Sequence, residues 1–577
     1  MTSPSHVPNK LDVESPHRAW WLALGVSFAT ALLIISPFFR LGVASGHDIS
    51  FHASSWLDAA NQWKEGIIYP RWTEWANYGF GEPRFVFYPP LSWMLGAALS
   101  LVLRGNAVPG AFIFLSQTLA GLSMFALARR FLSRSAALFA AACYAANPYA
   151  LLIVYMRSDF AEELAAVFLP VLLLAALQVG GLIENSWRSP RRAIAVFALL
   201  FGATWLSNAP AGVMASYSMA LLFAWAAFRG KSFAPLWRGA AGLALGFGLT
   251  SFYLLPAAYE QRWVNIAQAL SSGLQPSQNF LYTQINDPEH NLFNWIASSI
   301  AVLLILLAGI ASVVAKRSVE NSEASEEARR VWQTLLLLSG AATILMLRPS
   351  SLLWDYLPKL QFVQFPWRWM GILAVPYAYF AAATIARKQI GWIGAAIVLL
   401  AVASTGVYLV HKTWWDADDI PALQEAIAKG QGFEGADEYD PIGDDRYNLP
   451  PNAVAVRILR TEASNGNAPT ARVDIQRWTA EEKVVAVSSR EPVRVALRLL
   501  DYPAWRVELN GSRVKPEHGE STSEMVFRLP AGLNRITARF AHTPDRTSGD
   551  VLSLGSLLAL SVVAFARTRL SQESAHR

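Results

Sequence analysis

Twelve mostly apolar stretches, most of them near the length needed to cross a bilayer, limit what this 577-residue chain can fold into. A spanning helix takes about 20 such residues. The stretches are Trp20–Leu41, Val108–Leu127, Ala136–Val154, Leu164–Val179, Ala193–Leu206, Gly212–Phe228, Gly239–Pro256, Trp295–Ala315, Val331–Leu347, Trp369–Ala386, Ile390–Val410 and Leu552–Ala566. Lipid cannot hydrogen-bond a bare backbone, so segments this long and apolar are read as helices. Composition agrees: 16% of residues are charged, against about 25% in soluble proteins. A thirteenth stretch, Leu91–Leu103, is shorter and is closed by Arg104. The expected fold is a polytopic α-helical membrane protein with about 12–13 transmembrane helices.

Charge sets the orientation. Cytoplasmic loops of membrane proteins collect Lys and Arg. Suppose Leu91–Leu103 is a hemi-membrane or juxtamembrane helix and the N-terminus is cytoplasmic. Then Arg129/Arg130/Arg134, Arg188/Arg191/Arg192, Arg229/Lys231/Arg238, Lys316/Arg317, Arg387/Lys388 and Arg567/Arg569 all fall inside. If that helix crosses fully, each group moves to the other face. The expectation is therefore 12 full spans with both ends cytoplasmic. The polar start up to His17-Arg18 carries no small-residue cleavage site, so the first span is read as a retained anchor. The net charge of +6 belongs to these loops and calls for no nucleic-acid partner. A single cysteine, Cys143, excludes an intrachain disulfide and a cysteine metal cluster.

This orientation places the unusual polar stretches on the extracytoplasmic face. The expected organisation is a transmembrane domain over 1–410 with a large first loop at 43–90, an acidic linker at 411–450, a β domain at 451–548, and a final span and tail at 549–577. The linker carries Asp416, Asp418, Asp419, Glu438, Asp444 and Asp445, and its spacing matches no calcium loop. After it come short alternating or β-branched runs, including Val484–Ser488, Val493–Leu499 and Ile536–Phe540, with turn signals at Asn510-Gly511 and Pro530-Ala-Gly532. These read as an antiparallel β-sandwich.

Within the first loop, Gly46 to Leu91 gathers His47, Asp48, His52, Arg71 and Glu82 among many aromatics. Asp48 and His52 are four apart, on one face of a helical turn. A carboxylate, imidazoles and an arginine beside a membrane surface can run acid–base chemistry on a lipid-borne substrate. The alternative is a solvated loop with an aromatic belt, in which Asp48 caps a helix starting near Ile49. Arg157, Asp159 and Glu162 sit at a helix boundary, either as a functional cluster or as a charged cap. In Leu360–Trp369, Arg368 follows Pro366 among aromatics, as a phosphate contact or a snorkelling anchor. The break Ser207–Pro210 calls for no function, and the loop Ala257–Asn294 is long enough to cover a cavity. No Walker loop, dinucleotide fingerprint, HExxH or nucleophile elbow is present.

The motifs GHDISFH, YPRWTEWANYGFGEPRFVFYPPL, YMRSDFAEELAAVFLP and LPKLQFVQFPWRW resemble bacterial multi-spanning proteins of the GT-C glycosyltransferase type. Among these they resemble the uncharacterised group labelled "6-pyruvoyl-tetrahydropterin synthase-related", a label that implies no pterin chemistry. The C-terminal LLDYPAWRVELNGSRV and LPAGLNRITARFAHTPDRTSGD are similar to the outer β domain and last span of related membrane glycosyltransferases. The resemblance implies a sugar donor on a polyprenyl phosphate, membrane lipid around the site, and a cell-envelope glycan or protein acceptor. It makes Asp48 the catalytic candidate, as base or metal-associated carboxylate, with His47 and His52 beside it. A divalent cation, Mg or Mn, would use Asp48 and His52. Arg157 and Arg368 are expected to meet the phosphate, with Arg71 as a third choice. Tyr88, Asp159, Glu162 and Gln364 complete the expected substrate-binding set. The family's usual paired acidic motif is replaced here by His47-Asp48. Two other classes stay open: a transporter or flippase for a lipid-linked glycan or solute, and a non-catalytic envelope-assembly protein. No convincing internal repeat supports the first of these. All three apolar-boundary clusters are expected to meet in space near Asp48.

Overall fold

Each of the twelve apolar segments is helical over most of its length in the computed structural model. It describes residues 16–186, 189–320, 326–385, 388–443, 445–450, 452–459, 471–519 and 522–565. Among the described residues, eight helices are long and apolar enough to cross a membrane, or ten if two bent pairs each count as one span. This is fewer than the twelve expected, for two physical reasons. Pro190–Ser207 opens with Arg191 and Arg192, which dilute its apolar character. Met370–Thr384 has only 15 residues, about 22 Å at helical rise, and is buried almost all round. A helix apolar on every side belongs inside a bundle. The segment expected as Gly239–Pro256 is broken by 75° between Ala234–Leu249 and Ser251–Trp263. At the periphery, Trp392, Leu400 and Val562 remain exposed on their helices, as a lipid-facing surface requires.

The short helix Pro90–Val102 does not cross the bundle. Pro89, before it, lines the large cavity described below. After it, the Asn106 side-chain amide donates to the Ala417 carbonyl at 2.7 Å, on the same face. The helix lies against Ile49–Lys64, and at Gly96 a Cβ would fall 2.2 Å from the Trp56 indole nitrogen, so only glycine fits. With this helix on one face, successive spans alternate. Arg129, Arg130, Arg134, Arg191, Arg192, Arg229, Lys231, Arg238 and Lys316 then gather at the end of the bundle away from the cavity. Arg188, Arg387, Arg567, Arg569 and Asp444 lie outside the described residues, as do the side chains of Arg317 and Lys388.

The C-terminal region forms two antiparallel sheets, one of four strands and one of five, around a shared core that includes Val485, Val495, Leu497, Tyr502, Met525 and Ile536. Asn510 and Gly511 both have positive φ between the paired strands Trp505–Leu509 and Ser512–Arg513, as a two-residue hairpin turn demands. The stretch read as an acidic linker is largely folded against the first loop. Trp415–Asp416 pairs with Val43–Ala44, and Asp419–Ala428 is a helix. Phe433 N donates to the Trp75 carbonyl, and Tyr78 N to the Phe433 carbonyl, both at 2.9 Å. At Gly432 (φ +72°) a Cβ would lie 2.4 Å from the Trp75 oxygen.

Candidate active site

A cavity of about 630 Å³ opens where the helix ends, the first loop and the 411–450 stretch meet. Its wall includes Asp48, His52, Tyr88, Arg157, Asp159, Gln364 and Arg368. The clusters expected to meet near Asp48 therefore do so.

Backbone geometry brings the first two together. The His47 and Asp48 amides donate to the Met156 and Arg157 carbonyls at 3.2 and 2.9 Å. Gly46 permits this approach, since a Cβ there would fall 2.6 Å from the Arg157 carbonyl carbon. Arg157 ends a one-turn π-helix, Ile153–Arg157, and Ser158 follows in the left-handed region. π-turns are frequent at functional sites because they re-aim side chains. Here the turn aims Arg157 at Asp48, and its Nη2 donates to Asp48 Oδ2. Asp48 stands before helix Ile49–Lys64, but its side chain makes no capping bond. Its carboxylate serves the arginine instead of the helix.

Asp159 does both jobs. One oxygen accepts the Glu162 amide at 3.0 Å as a cap, and the other accepts from Arg368 Nη2 at 3.0 Å. Arg368 Nε also faces Glu162 Oε2 at 3.3 Å, and Glu162 accepts the Tyr149 hydroxyl. Gln364 aims Arg368. It has φ 64° and ψ −56°, and Phe365 N donates to the Val363 carbonyl at 2.7 Å across it, a strained γ-turn. Its side chain donates to the Ala269 carbonyl and accepts from Arg368 Nη1 at 3.2 Å. Both guanidinium groups lie over the Phe365 ring, at 5.1 and 4.9 Å.

Burial alone would raise the Asp159 carboxyl. The His52 imidazole 3.8 Å away and the charges of Arg368 and Arg157 overcome it and hold the group ionised, well below the usual carboxylate range. Burial, helped by the Arg157 charge, lowers His47 and leaves it neutral at pH 7. Burial pushes the Tyr88 phenol well above its ordinary value, so it keeps its proton as a donor.

Three expected members lie off the wall, and one of them, Glu162, sits behind it as the partner of Arg368 and Tyr149. Arg71 sits over the Tyr69 ring at 4.3 Å and donates to the Phe252 carbonyl at 3.4 Å, away from the cavity wall. Proximity in sequence to Asp48 misplaced it, because the whole helix Ile49–Lys64 intervenes. The His47 ring packs on Phe293, 4.8 Å between centroids, and is not part of the wall. Among the described residues no group of three or more His, Cys, Asp or Glu side chains could hold a metal ion. Asp48 and His52 do not form a ligand set either: Asp48 is taken by a guanidinium, and His52 faces Asp159. A divalent cation does not fit this arrangement. Conversely, Glu438, Tyr439, Lys359 and Asn208 line the cavity although none was singled out for the site. Asn208 also caps helix Ala209–Gly230, accepting the Ala211 amide at 2.8 Å.

Residues 85–417 match the model of the family described as "6-pyruvoyl-tetrahydropterin synthase related domain; membrane protein". The chain belongs to that family. This PTPS-related membrane protein has no match among curated proteins. Among solved structures it is similar to arabinofuranosyltransferase AftD from Mycobacteria, at 16% identity and TM-score 0.43, over 70% of this chain and 27% of that one. It is also similar to the Archaeoglobus fulgidus oligosaccharyltransferase in its apo form, at 15% and 0.37, over 71% and 56%. A third is archaeal oligosaccharyltransferase AglB from the same organism, in complex with an inhibitory peptide and a dolichol-phosphate, at 13% and 0.40, over 73% and 57%. The chain thus spans about a quarter of the first protein's length and just over half of the oligosaccharyltransferase.

Proposed function

We propose that this PTPS-related protein is a GT-C type glycosyltransferase. It moves a sugar from a polyprenyl-phosphate donor to a cell-envelope acceptor on the extracytoplasmic side of a bacterial inner membrane. The observation that carries the reading is two buried arginines, Arg157 and Arg368, on the wall of one cavity at the helix ends, with the carboxylate of Asp48 beside them. A lipid phosphate leaving group develops negative charge, and guanidinium groups held in a partly dry site stabilise it. Their carboxylate partners keep them oriented before substrate arrives. The acceptor hydroxyl loses a proton as it attacks the anomeric carbon, and Asp48 is the carboxylate placed to take it. The apolar part of the wall, including Trp205, Val213 and Leu254, suits a lipid chain.

The test is transfer of radiolabelled sugar by the purified protein from a panel of polyprenyl-phosphate sugars into envelope glycan or protein. No transfer from any donor, with no lipid-phosphate binding, would end the reading. The orientation has its own check. Ser512 is exposed on the β domain and Lys231 is exposed at the opposite end. In a Cys143→Ser background, Ser512→Cys should react with an impermeant thiol reagent in intact cells and Lys231→Cys should not. The reverse pattern would invert the protein.

A further inference from the structure

The cavity has a second wall that the phosphate reading does not use. Glu438 and Tyr439 form it, in the short 3-10 turn Asp437–Tyr439, with Phe51, Phe87 and Tyr88. The turn is fixed from several directions. Ala436 N donates to Glu82 Oε2 at 2.9 Å, and the Asn77 amide donates to the buried Asp440 at 2.8 Å. Asn265 N donates to the Asp440 carbonyl at 2.9 Å. Tyr439 stacks on Phe87, 5.6 Å between centroids and 3° from parallel. Phe51 and Tyr88 meet edge to face at 4.7 Å, and each keeps part of its surface open.

Glu438 differs from its acidic neighbours on the wall. Asp48 is paired with Arg157, and Asp159 with Arg368. Among the described residues Glu438 makes no ion pair and no hydrogen bond to another side chain. Burial pushes its carboxyl up. Glu438 is half-buried and its carboxylate accepts only from its own backbone amide. A rigid turn that holds a carboxylate with spare acceptor sites on a cavity wall points to a ligand that supplies the donors. An ionised carboxylate offers about four acceptor sites and no donor. Its complement is a set of adjacent hydroxyls. Phe51 and Tyr88, each partly open to the cavity, present aromatic surface that takes C–H groups. One ligand class has C–H bonds on one side and neighbouring hydroxyls on its rim: a sugar ring. A cationic ligand is disfavoured because two buried guanidinium groups already face the same cavity, and a third, Arg84, lies 4.3 Å over the Phe51 ring.

We infer that Glu438, with Phe51 and Tyr88, forms a sugar-ring subsite for the acceptor, so that the acceptor is a carbohydrate and not a protein side chain. The word acceptor rests on the sugar-transfer reading. The donor's own sugar has to stay beside the arginines that hold its phosphate, which leaves this wall for a second ring.

Saturation-transfer NMR on the detergent-solubilised full chain tests it. The probes are methyl glycosides of glucose, galactose, mannose and arabinose, with geranylgeranyl phosphate for the phosphate wall. At least one glycoside should bind, should not be displaced by geranylgeranyl phosphate, and should lose at least tenfold in affinity in Glu438→Gln. Phe51→Ala should weaken the same glycoside. Geranylgeranyl phosphate should bind Glu438→Gln like the wild type and fail on Arg368→Ala. If geranylgeranyl phosphate binds but no glycoside does, or glycosides bind Glu438→Gln unchanged, the subsite falls alone. Glu438-dependent binding of tetramethylammonium in place of any glycoside overturns it in favour of a cation site. If glycosides bind through Glu438 but geranylgeranyl phosphate does not bind the wild type, the sugar subsite stands and the transfer reading fails.

Discussion

The cavity wall and the junction where the first loop, the β domain, helix Ser251–Glu260 and the last helix meet are both built on buried ion pairs, yet they are not equivalent. At the junction, Arg84 pairs with Glu82 and donates to Ser54 and Ser55 at 3.0 Å each. Lys483 reaches Glu74 at 2.7 Å, and Arg546 binds both oxygens of Glu260, which also accepts the Tyr502 hydroxyl at 2.5 Å. These groups are sealed, with none of the six charged side chains on the large cavity's wall. At the cavity, Arg157, Arg368, Asp48 and Asp159 have the same chemistry but share an opening. Burial and pairing alone do not mark a site, since structural networks show both. The open edge does. Breaking a sealed pair should therefore cost stability, and breaking an open one should cost function first.

The largest effect is expected at Asp48→Asn. It keeps the shape and loses both the proton acceptor and the charge opposite Arg157. Transfer should fall by about 10²–10⁴-fold, with the melting temperature nearly unchanged. Retained transfer with a confirmed donor and acceptor would remove Asp48 from the chemistry. In the sealed set, Arg546→Ala leaves Glu260 buried without its cation, which costs about 3–5 kcal/mol. Thermal unfolding should show that loss, while any protein still folded should transfer at a near-normal rate. Arg368→Ala should lower transfer by about 10²-fold. Arg368→Lys should fall between, because lysine keeps the charge and loses the forked fit to phosphate. If Arg368→Lys and Arg368→Ala instead match each other in stability loss and leave transfer intact, Arg368 belongs with the sealed pairs.

Much of this was legible in the chain, and the difference between the two regions explains what was not. Apolar runs located the helices because lipid leaves the backbone few options. Arg157, Asp159 and Arg368 stood out because charges at the ends of apolar helices are conspicuous. The break at Thr250 and the internal position of Met370–Thr384 were invisible, since both depend on what packs against them. Glu438 was hidden for the opposite reason to Arg368. It lies in an acidic, irregular stretch, where one more carboxylate carries no signal. Long-range contacts bring that stretch back over the first loop: Val43–Ala44 pairs with Trp415–Asp416, some 370 positions on, and Phe433, Ala436 and Asp440 bond to Trp75, Glu82 and Asn77. Arg71 failed as a site residue because nearness in sequence says little across a 16-residue helix.

The smallest expected effect separates two carboxyls that both lack a cation. Glu438 faces the cavity. Asp58 is sealed beneath the first loop, where Oδ1 accepts from the Gln62 amide at 2.5 Å and Oδ2 from the Trp75 amide at 2.9 Å. Burial pushes the Asp58 carboxyl from 3.8 to about 7. The folded state thus binds this proton more tightly than the unfolded one. The contribution to stability is fully present at low pH and is lost as pH rises from about 4 toward 7. Between pH 6 and 7 the expected change is about 1 kcal/mol, given about 1.4 kcal/mol per pH unit at most. Melting of the purified protein should drop by a few degrees over that interval. Asp58→Asn, which has no proton to lose, should flatten the slope without altering glycoside or lipid-phosphate binding. A wild-type melting temperature that is level or rises from pH 6 to 7 would mean Asp58 is not the sealed acid described here. If Asp58→Asn also weakened glycoside binding, the line drawn between the sealed junction and the open cavity would be wrong.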